Sequence, residues 1–368
     1  MGIKVGFITG ARSEFGVMKQ LILSMLSDSE FEVKLYVTGM HLLKKYGSTY
    51  KEIERTIIPI TKKIHAYDEK DNLKIIDFTN IVNNLFLVLQ SEDIDVLYIV
   101  GDRIEAYGAA LVAHFLNIPI AHYAGGQITE GAIDNIYRYN ISNLASIHFV
   151  TSKFAAENLS KIPTINSSNV HLVGSTAIDS IYKFLENPID LKSIDERLIP
   201  NGYALMTFHP ATKSNESIGS IIIPCVQEIL DLGKQVLITY PNNDNGNSEI
   251  IDAIEQCTND DNVFLIKNLG VENYYCAVYN SSFVIGNSSS GIIEVPYFSK
   301  YTINIGDRQK GRLKPRSVID VPCSMDKIKN TLNSLTLINW IPPKQEYLYG
   351  TGDSIKKIKD LLLEYFKR

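Results

Sequence analysis

Short, continuous apolar segments alternate with segments of helical periodicity along the whole chain. Val96-Leu-Tyr-Ile-Val100 is typical of the first kind, because a strand buried on both faces needs no polar alternation. In the first half this pattern predicts strands at 4–9, 32–38, 96–100, 118–123, 147–150 and 170–173, with helices at 17–26, 80–90 and 106–116. Such alternation predicts a doubly wound α/β domain with a parallel sheet.

The same alternation starts again in the second half. It predicts strands at 203–207, 235–240, 263–266, 283–285 and 301–305, and helices at 218–232, 248–256, 271–280 and 291–296. A loop rich in Pro and Gly then precedes a last helix at 354–367, which is long enough to pack back across the first domain. We therefore expect Rossmann-like domains at 1–174 and 175–349, followed by a C-terminal helical segment at 350–368.

Composition narrows the class of protein. The 368 residues carry a net charge of −5, which argues against nucleic acid as the main partner. No apolar stretch reaches membrane-spanning length, and the first ten residues are typical of a buried strand and not of a signal peptide. The four cysteines have no C-x-x-C spacing, so we expect neither disulfides nor a zinc site. These features favour a cytoplasmic protein without membrane contact, metal or cofactor.

The segment Val284-Ile-Gly-Asn-Ser-Ser-Ser-Gly-Ile-Ile-Glu-Val-Pro296 is the most informative part of the chain. A turn rich in Ser and Gly, placed between a strand and a helix, exposes N–H groups and hydroxyls to an anion such as phosphate. Glu294 follows one helical turn later, and a carboxylate there suits a vicinal diol as an acceptor of two O–H bonds. The alternative is a plain strand–turn–helix corner with Ser as the N-cap.

Charged residues follow two strands of the first half. Arg12 comes after the first strand, where its guanidinium fits phosphate oxygens, unless it is only a surface residue on a turn. Asp102 and Arg103 follow the strand at 96–100, where a carboxylate beside an apolar strand end suits proton transfer. The alternative is that Asp102 caps the next helix and pairs with Arg103.

A glycine-rich loop, His122-Tyr-Ala-Gly-Gly-Gln-Ile-Thr-Glu-Gly131, follows another strand. Its glycines allow close approach of a ligand to the backbone. Downstream, Asp134 and Arg138 have the i, i+4 spacing that places both on one helix face. Either they form a simple salt bridge, or Asp134 faces a sugar and is held by Arg138.

In the second half, His209 ends the strand at 203–207 and can reach a phosphate. The segment Tyr240-Pro-Asn-Asn-Asp-Asn-Gly246 also follows a strand. We interpret it as a rim of the ligand cleft, although its Asn and Asp residues are also ordinary turn formers.

Taken together, these segments resemble the UDP-N-acetylglucosamine 2-epimerase family, and most closely its hydrolysing branch. The resemblance covers nearly the whole chain. The motifs that carry it are Thr9-Gly-Ala-Arg-Ser-Glu-Phe-Gly16, Thr38-Gly-Met-His-Leu42 with Tyr46-Gly47, Gly101-Asp-Arg-Ile-Glu-Ala106, Gly125-Gly126, Thr129-Glu-Gly-Ala-Ile-Asp134 with Arg138, Phe208-His-Pro210, Tyr240-Pro-Asn-Asn-Asp244, Gly286-Asn-Ser-Ser289 and Ile303-Asn-Ile-Gly-Asp-Arg-Gln309. The resemblance implies a GT-B fold, a UDP-sugar substrate and a homo-oligomer (dimer or tetramer).

The family also implies a role for each matching residue. The diphosphate site corresponds to Arg12, His209, Ser288, Ser289, Ser290 and Gly291, the ribose ligand to Glu294, and the uracil site to the backbone near Asn268 and Gly270. Asp102 and Asp134 correspond to the acid/base carboxylates, with Arg138 beside them. The family reaction removes the C2 proton and UDP to give a 2-acetamidoglucal. Water then adds to release a C2-inverted free sugar, as used in sialic-acid-type pathways.

The region after the strand predicted at 118–123 departs from the family pattern. Ala124 lies near the place of a Glu in non-hydrolysing relatives, Gln127 replaces a frequent acidic residue, and Tyr139 replaces a frequent His. Glu130 is a candidate replacement from the same loop. The alternatives are a modified substrate such as a UDP-2,4-diacetamido-2,4,6-trideoxy sugar of legionaminic-acid synthesis, a GT-B glycosyltransferase, and a nucleotide-sugar binder with impaired catalysis.

Overall fold

The chain folds into two compact units, each built around one parallel sheet. The computed structural model describes residues 2–44, 47–67, 74–128, 134–210, 218–241 and 246–367. The first unit contains the described residues of 2–128, 134–180 and 349–367, and the second contains those of 181–348. The division between the units follows Ser180, six residues after the boundary expected at 174. It falls inside the helix that begins at Thr176.

The first unit has a seven-stranded sheet in the order β3-β2-β1-β4-β5-β6-β7, in which all paired strands are parallel. Its strands are β1 (Ile3–Thr9), β2 (Phe31–Val37), β3 (Lys62–Lys63), β4 (Val96–Val100), β5 (Ile120–Tyr123), β6 (Ile147–Val150) and β7 (Val170–Leu172). The helices between them are α1 (Arg12–Leu26), α2 (Tyr50–Glu54), α3 (Lys74–Leu89), α4 (Ile104–Phe115), α5 (Asp134–Leu144), α6 (Lys153–Ser160) and α7 (Thr176–Glu186), with 3-10 turns at Gly39–Leu42 and Ser167–Asn169. Because β1 lies between β2 and β4, the strand order reverses there, where such sheets usually bind ligands.

The second unit repeats this plan with a six-stranded parallel sheet in the order β10-β9-β8-β11-β12-β13. Its strands are β8 (Tyr203–Thr207), β9 (Gln235–Thr239), β10 (Val263–Ile266), β11 (Phe283–Gly286), β12 (Thr302–Ile305) and β13 (Val318–Val321). Its helices are α8 (Ile218–Asp231), α9 (Asn247–Gln256), α10 (Gly270–Asn280), α11 (Ser290–Ile293) and α12 (Met325–Leu337), with 3-10 turns at Leu191–Ser193, Cys257–Asn259 and Val295–Phe298.

The last helix, α13 (Ser354–Phe366), belongs to the first unit. Its Ile358 and Leu362 are fully buried in the same apolar cluster as Leu21 and Met25 of α1. The carboxylate of Asp179 accepts the N–H groups of Ser354 at 3.2 Å and Ile355 at 3.0 Å, which caps the helix where its N–H groups lack partners within the helix. The C-terminal helix thus packs on α1 of the first unit.

One predicted helix is wrong in form. The segment 291–296 is divided into the four-residue α11 and a 3-10 turn, Val295–Phe298, that contains Pro296. Proline has no N–H to donate and its ring clashes with a preceding carbonyl, so a regular α-helix ends before it. No described helix is long and apolar enough to cross a membrane.

Candidate active site

The serine turn of the second unit begins at Gly286, the last residue of β11. Its φ is +143°, and a Cβ atom there would lie 1.9 Å from the carbonyl oxygen of Thr207. Only glycine permits this contact between the ends of β8 and β11. The turn is therefore held against the carboxyl end of β8, where the predicted His209 follows.

Asn287 joins three loops at this edge of the second sheet. Its side chain accepts the N–H of His209 at 2.7 Å and donates to the His209 carbonyl at 2.8 Å. Its own carbonyl accepts bonds from Arg308 at 3.0 Å and from Gln309 at 2.9 Å. Asn287 is 1% exposed, so these bonds are shielded from water, and the low local dielectric strengthens them. His209, the serine turn and Arg308 consequently lie together.

The Arg308 guanidinium and burial together determine the protonation state of His209. Burial and the nearby Arg308 guanidinium lower the pKa of His209 to about 3, so the imidazole is neutral at physiological pH. Arg308 remains a cation. The sequence pattern did not single out Arg308. It lies three residues after β12 at the same sheet edge, and this is a position at which ligand-binding residues of such sheets are common.

Hydroxyl groups line the turn itself. The Oγ atoms of Ser288 and Ser290 are 3.2 Å apart, and the Tyr274 hydroxyl lies 2.5 Å from Ser290 Oγ. The N–H of Gly291 donates to the Ser288 carbonyl at 3.2 Å, and a Cβ atom on Gly291 would lie 2.8 Å from Thr302 Cγ2. Gly291 thus closes the turn and packs on β12. Because α11 has only four residues, its helix dipole is weak, and the polar groups at this turn are the hydroxyls and the Arg308 guanidinium.

Glu294 lies at the end of α11 and is half-buried. The hydroxyl of Tyr275 donates to its Oε1 at 3.5 Å. Burial raises the pKa of Glu294 to about 7, and the bond from Tyr275 acts in the opposite direction. At the start of α10, the Asn268 side chain accepts the N–H of Gly270 at 3.0 Å, and Gly270 has a φ of +70°. These residues also follow the carboxyl ends of strands in the second sheet.

In the first unit, Asp102 is paired with Arg138. The Arg138 guanidinium also donates to the Gln127 carbonyl at 2.7 Å and to Asn135 Oδ1 at 2.9 Å, and Arg138 is 5% exposed. The expectation that Arg138 holds Asp134 is therefore corrected, because its guanidinium binds Asp102 in the turn after β4 and the carbonyl of Gln127 in the glycine-rich loop. Asp134 is exposed at the first residue of α5, and Glu130 lies outside the described residues.

The alternative of Asp102 as a helix cap is wrong. The N-cap of α4 is Arg103, whose guanidinium pairs with Glu105 at 3.2 Å and contacts Met40 Sδ at 2.9 Å. Arg12 is the first residue of α1 and pairs with Glu52 at 3.1 Å, with 43% of its side chain exposed. It remains available to an anion at the carboxyl end of β1, since an exposed ion pair is weak.

The glycine-rich loop is held in place by hydrogen bonds to the Gly126 carbonyl and from the Gln127 side chain. The Gly126 carbonyl accepts from Asn158 at 2.9 Å and from the Tyr139 hydroxyl at 3.4 Å, and the Gln127 side chain donates to Thr151 at 2.6 Å. Ala124 has a φ of +63°. Its small side chain contacts the apolar core of the first unit.

Two Rossmann-like units with polar groups at the carboxyl ends of their strands define a protein of the GT-B class. A solved structure, the UDP-GlcNAc 2-epimerase of Neisseria meningitidis bound to UDP-GlcNAc, shares this fold with a TM-score of 0.82 at 21% identity, over 98% of this chain and 100% of that chain. The model of the family described as UDP-N-acetylglucosamine 2-epimerase matches residues 24–363. The chain belongs to this family.

Two relatives are named hydrolysing enzymes. The UDP-N,N'-diacetylbacillosamine 2-epimerase (hydrolyzing) of Legionella pneumophila is 29% identical over 98% of this chain and 95% of the relative. The GDP/UDP-N,N'-diacetylbacillosamine 2-epimerase (hydrolyzing) of Campylobacter jejuni is 32% identical over 86% of this chain and 84% of the relative.

Proposed function

We propose that this protein hydrolyses UDP-N-acetylglucosamine with inversion at C2 and releases UDP and N-acetylmannosamine. The observation that carries the proposal is membership of the epimerase family, together with near full-length similarity to relatives that are named as hydrolysing enzymes.

The second unit supplies the UDP site in this proposal. Arg308, neutral His209 and the Ser288–Ser290 hydroxyls bind the diphosphate, because hydrogen-bond donors and a cation favour the leaving group as its charge develops. Glu294 accepts hydrogen bonds from the two ribose hydroxyls, and the backbone around Asn268 and Gly270 binds uracil.

The first unit supplies proton transfer. Asp102, oriented by Arg138, accepts the C2 proton of the sugar while the C–H electron pair forms the C1=C2 bond and the C1–O bond to UDP breaks, which leaves a 2-acetamidoglucal. Water then adds its oxygen to C1, and a proton is delivered to C2 on the opposite face. The second proton-transfer group is Asp134 at the start of α5 or Glu130 in the segment before it, because neither Ala124 nor Gln127 is ionisable.

A second candidate substrate is favoured by the names of the two relatives. UDP-N,N'-diacetylbacillosamine is the 2,4-diacetamido-2,4,6-trideoxy analogue, and it needs the same chemistry at C1 and C2. The two sugars should be compared with one enzyme preparation. A difference of about 10- to 200-fold in specificity constant is the range expected for a pocket that discriminates by apolar contacts.

The reaction itself is tested by NMR of the products formed in heavy water. Deuterium at C2 of a free manno-configured sugar is the expected result for either substrate. Retained hydrogen at C2 with transfer to an acceptor would instead identify a glycosyltransferase. Tight UDP-sugar binding without any product would identify an inactive binder, and both of these outcomes contradict the proposal.

We also propose that the enzyme is a homo-oligomer that associates through α3 and the end of α4. Ile75 and Leu87 of α3 are 65% and 62% exposed, and Phe115 of α4 is 78% exposed. Exposed large apolar side chains on two helices that pack together, as α3 and α4 do, are typical of an interface. Leu87→Glu and Phe115→Glu should shift the mass measured by light scattering to that of the monomer. Leu337→Glu, an exposed apolar position in the second unit, should not.

A further inference from the structure

Two buried residues of α5 are connected to the turn that carries Asp102. Arg138 and Ser142 are one helical turn apart, and they are 5% and 0% exposed. Arg138 pairs directly with Asp102, whereas Ser142 contacts His122 of β5. Spacing of i, i+4 places both on the face of α5 that packs against the sheet.

The His122 side chain connects Ser142 to the turn. Its Nε2 lies 2.8 Å from the Gly101 carbonyl oxygen, and its Nδ1 lies 3.0 Å from Ser142 Oγ. A carbonyl only accepts, so Nε2 carries the proton. Burial lowers the pKa of His122 to about 3, so the ring is neutral and Nδ1 accepts the Ser142 hydroxyl proton. Ser142 thereby fixes the tautomer that donates to Gly101.

The Gly101 carbonyl belongs to the peptide unit that joins Gly101 to Asp102. Gly101 has a φ of +72°, and its N–H donates to the Tyr123 carbonyl at 2.9 Å. With both sides of this turn bonded to β5, the direction in which Asp102 leaves the strand is fixed. The bond from His122 to the carbonyl therefore acts on the backbone of Asp102, while Arg138 acts on its carboxylate.

The glycine-rich loop covers the Ser142–His122 hydrogen bond. A Cβ atom on Gly125 would lie 2.8 Å from Ser142 Oγ and 2.9 Å from His122 Nδ1. Any side chain at this position would separate the two atoms or expose them to water. Gly125 thus allows the loop backbone to seal a hydrogen bond that lies behind the turn.

We propose that Ser142 and His122 are positioning residues, which hold the Gly101–Asp102 peptide so that the Asp102 carboxylate faces the C2 proton of the sugar. The inference rests on the proposed function, in which Asp102 transfers that proton. The effect should be confined to the chemical step, because displaced acid/base groups slow that step, whereas the nucleotide contacts belong to the second unit and stay intact.

The first test compares Ser142→Ala, Ser142→Thr and Ser281→Ala. Ser142→Ala should lower kcat about 10-fold with KM and the Kd for UDP within about twofold, since a small displacement from the productive geometry is costly. Ser142→Thr keeps the hydroxyl and should restore most of the activity. Ser281 is the matched control, because its hydroxyl is also 0% exposed and donates to a helical carbonyl at 2.9 Å, with no connection to Asp102. Ser281→Ala should lower Tm and leave kcat unchanged.

The second test uses His122→Gln and His122→Leu. The Gln amide can donate to the Gly101 carbonyl, and Leu cannot, so the Gln variant should have the higher kcat. If His122→Leu does not fold, the Ser142 series decides. Wild-type kcat in Ser142→Ala, combined with an inactive Asp102→Asn, would overturn the positioning role alone. Full activity of Asp102→Asn would instead refute the proton-transfer role in the proposed function.

Discussion

The Arg138 guanidinium is paired with the Asp102 carboxylate, although 36 residues separate them in the sequence. The Arg138 side chain is 6% exposed and that of Asp102 is 23% exposed, so the carboxylate is reached by solvent on one side only. Removal of either partner leaves the other charge unpaired and partly desolvated, which is the costly way to break such a pair. The geometry leaves one side of Asp102 for a substrate and fixes the other.

Asp102→Asn should abolish turnover and keep UDP binding. The amide preserves shape but cannot accept a proton, and the nucleotide groups belong to the other unit. Turnover is measured by UDP release and binding by calorimetry. Asp195→Asn is the control, since Asp195 pairs with Arg197 on the surface at 2.8 Å. Near wild-type turnover of Asp102→Asn would exclude it from the chemistry.

Glu294→Ala should weaken UDP binding about 10- to 100-fold, because hydrogen bonds to a charged acceptor contribute roughly 1.5–3 kcal/mol. Calorimetry with UDP measures the change. Glu272→Ala is the matched control, because Glu272 is an exposed carboxylate in the first turn of the neighbouring α10. Equal affinity of the Glu294 variant and the wild type would remove Glu294 from the ribose site.

The stability of the protein should depend on pH through the titration of Glu294. Its pKa is raised from 4.5 to about 7 by burial, so between these values the folded state holds a proton that the unfolded state has released. The free energy of unfolding therefore falls as pH rises from 4.5 to 7 and levels off above pH 7.

The neutral variant Glu294→Gln should lack this contribution, with a difference from wild type of up to about 3 kcal/mol across the window. Trp340, the single tryptophan, stacks on Phe283 with ring centroids 4.0 Å apart, so its fluorescence reports unfolding of the second unit. Parallel pH profiles of the two proteins would contradict the expectation.

Arg308→Ala should weaken UDP binding by at least about 10-fold and flatten its dependence on salt, because a guanidinium–phosphate contact is charge-assisted. Lys310→Ala is the control for loss of a nearby exposed cation in the same loop. Calorimetry at two salt concentrations separates them. A similar loss of UDP affinity in both variants would mean that Arg308 acts only through its positive charge and makes no direct contact with the phosphate.

The sequence predicts the strands and the edge at which the site forms. Segments such as 96–100 and 203–207 are confirmed residue for residue, since strands buried on both faces leave continuous apolar runs. β3 and β13 were not predicted. They are short edge strands, and Lys62-Lys63 or Val318-Ile-Asp-Val321 has no distinctive pattern.

The connections between site residues were not predictable in the same way. The i, i+4 spacing of Asp134 and Arg138 indicated a local pair, but the guanidinium pairs with Asp102 in the turn after β4. The sequence pattern assigned Asn287 no role of its own, yet its four bonds join three loops. Such contacts depend on how strands are ordered in the sheet, and local periodicity carries no information on that order.

The last helix has a consequence for the order in which the protein matures during synthesis. Residues of α13 complete the apolar core that α1 begins, and Lys359 pairs with Asp28 at 2.7 Å. A ribosome makes these residues only after the whole second unit has been made. The second unit can thus finish folding first, while the N-terminal core stays incomplete until α13 has been made, so chaperones have longer access to the half that carries Asp102.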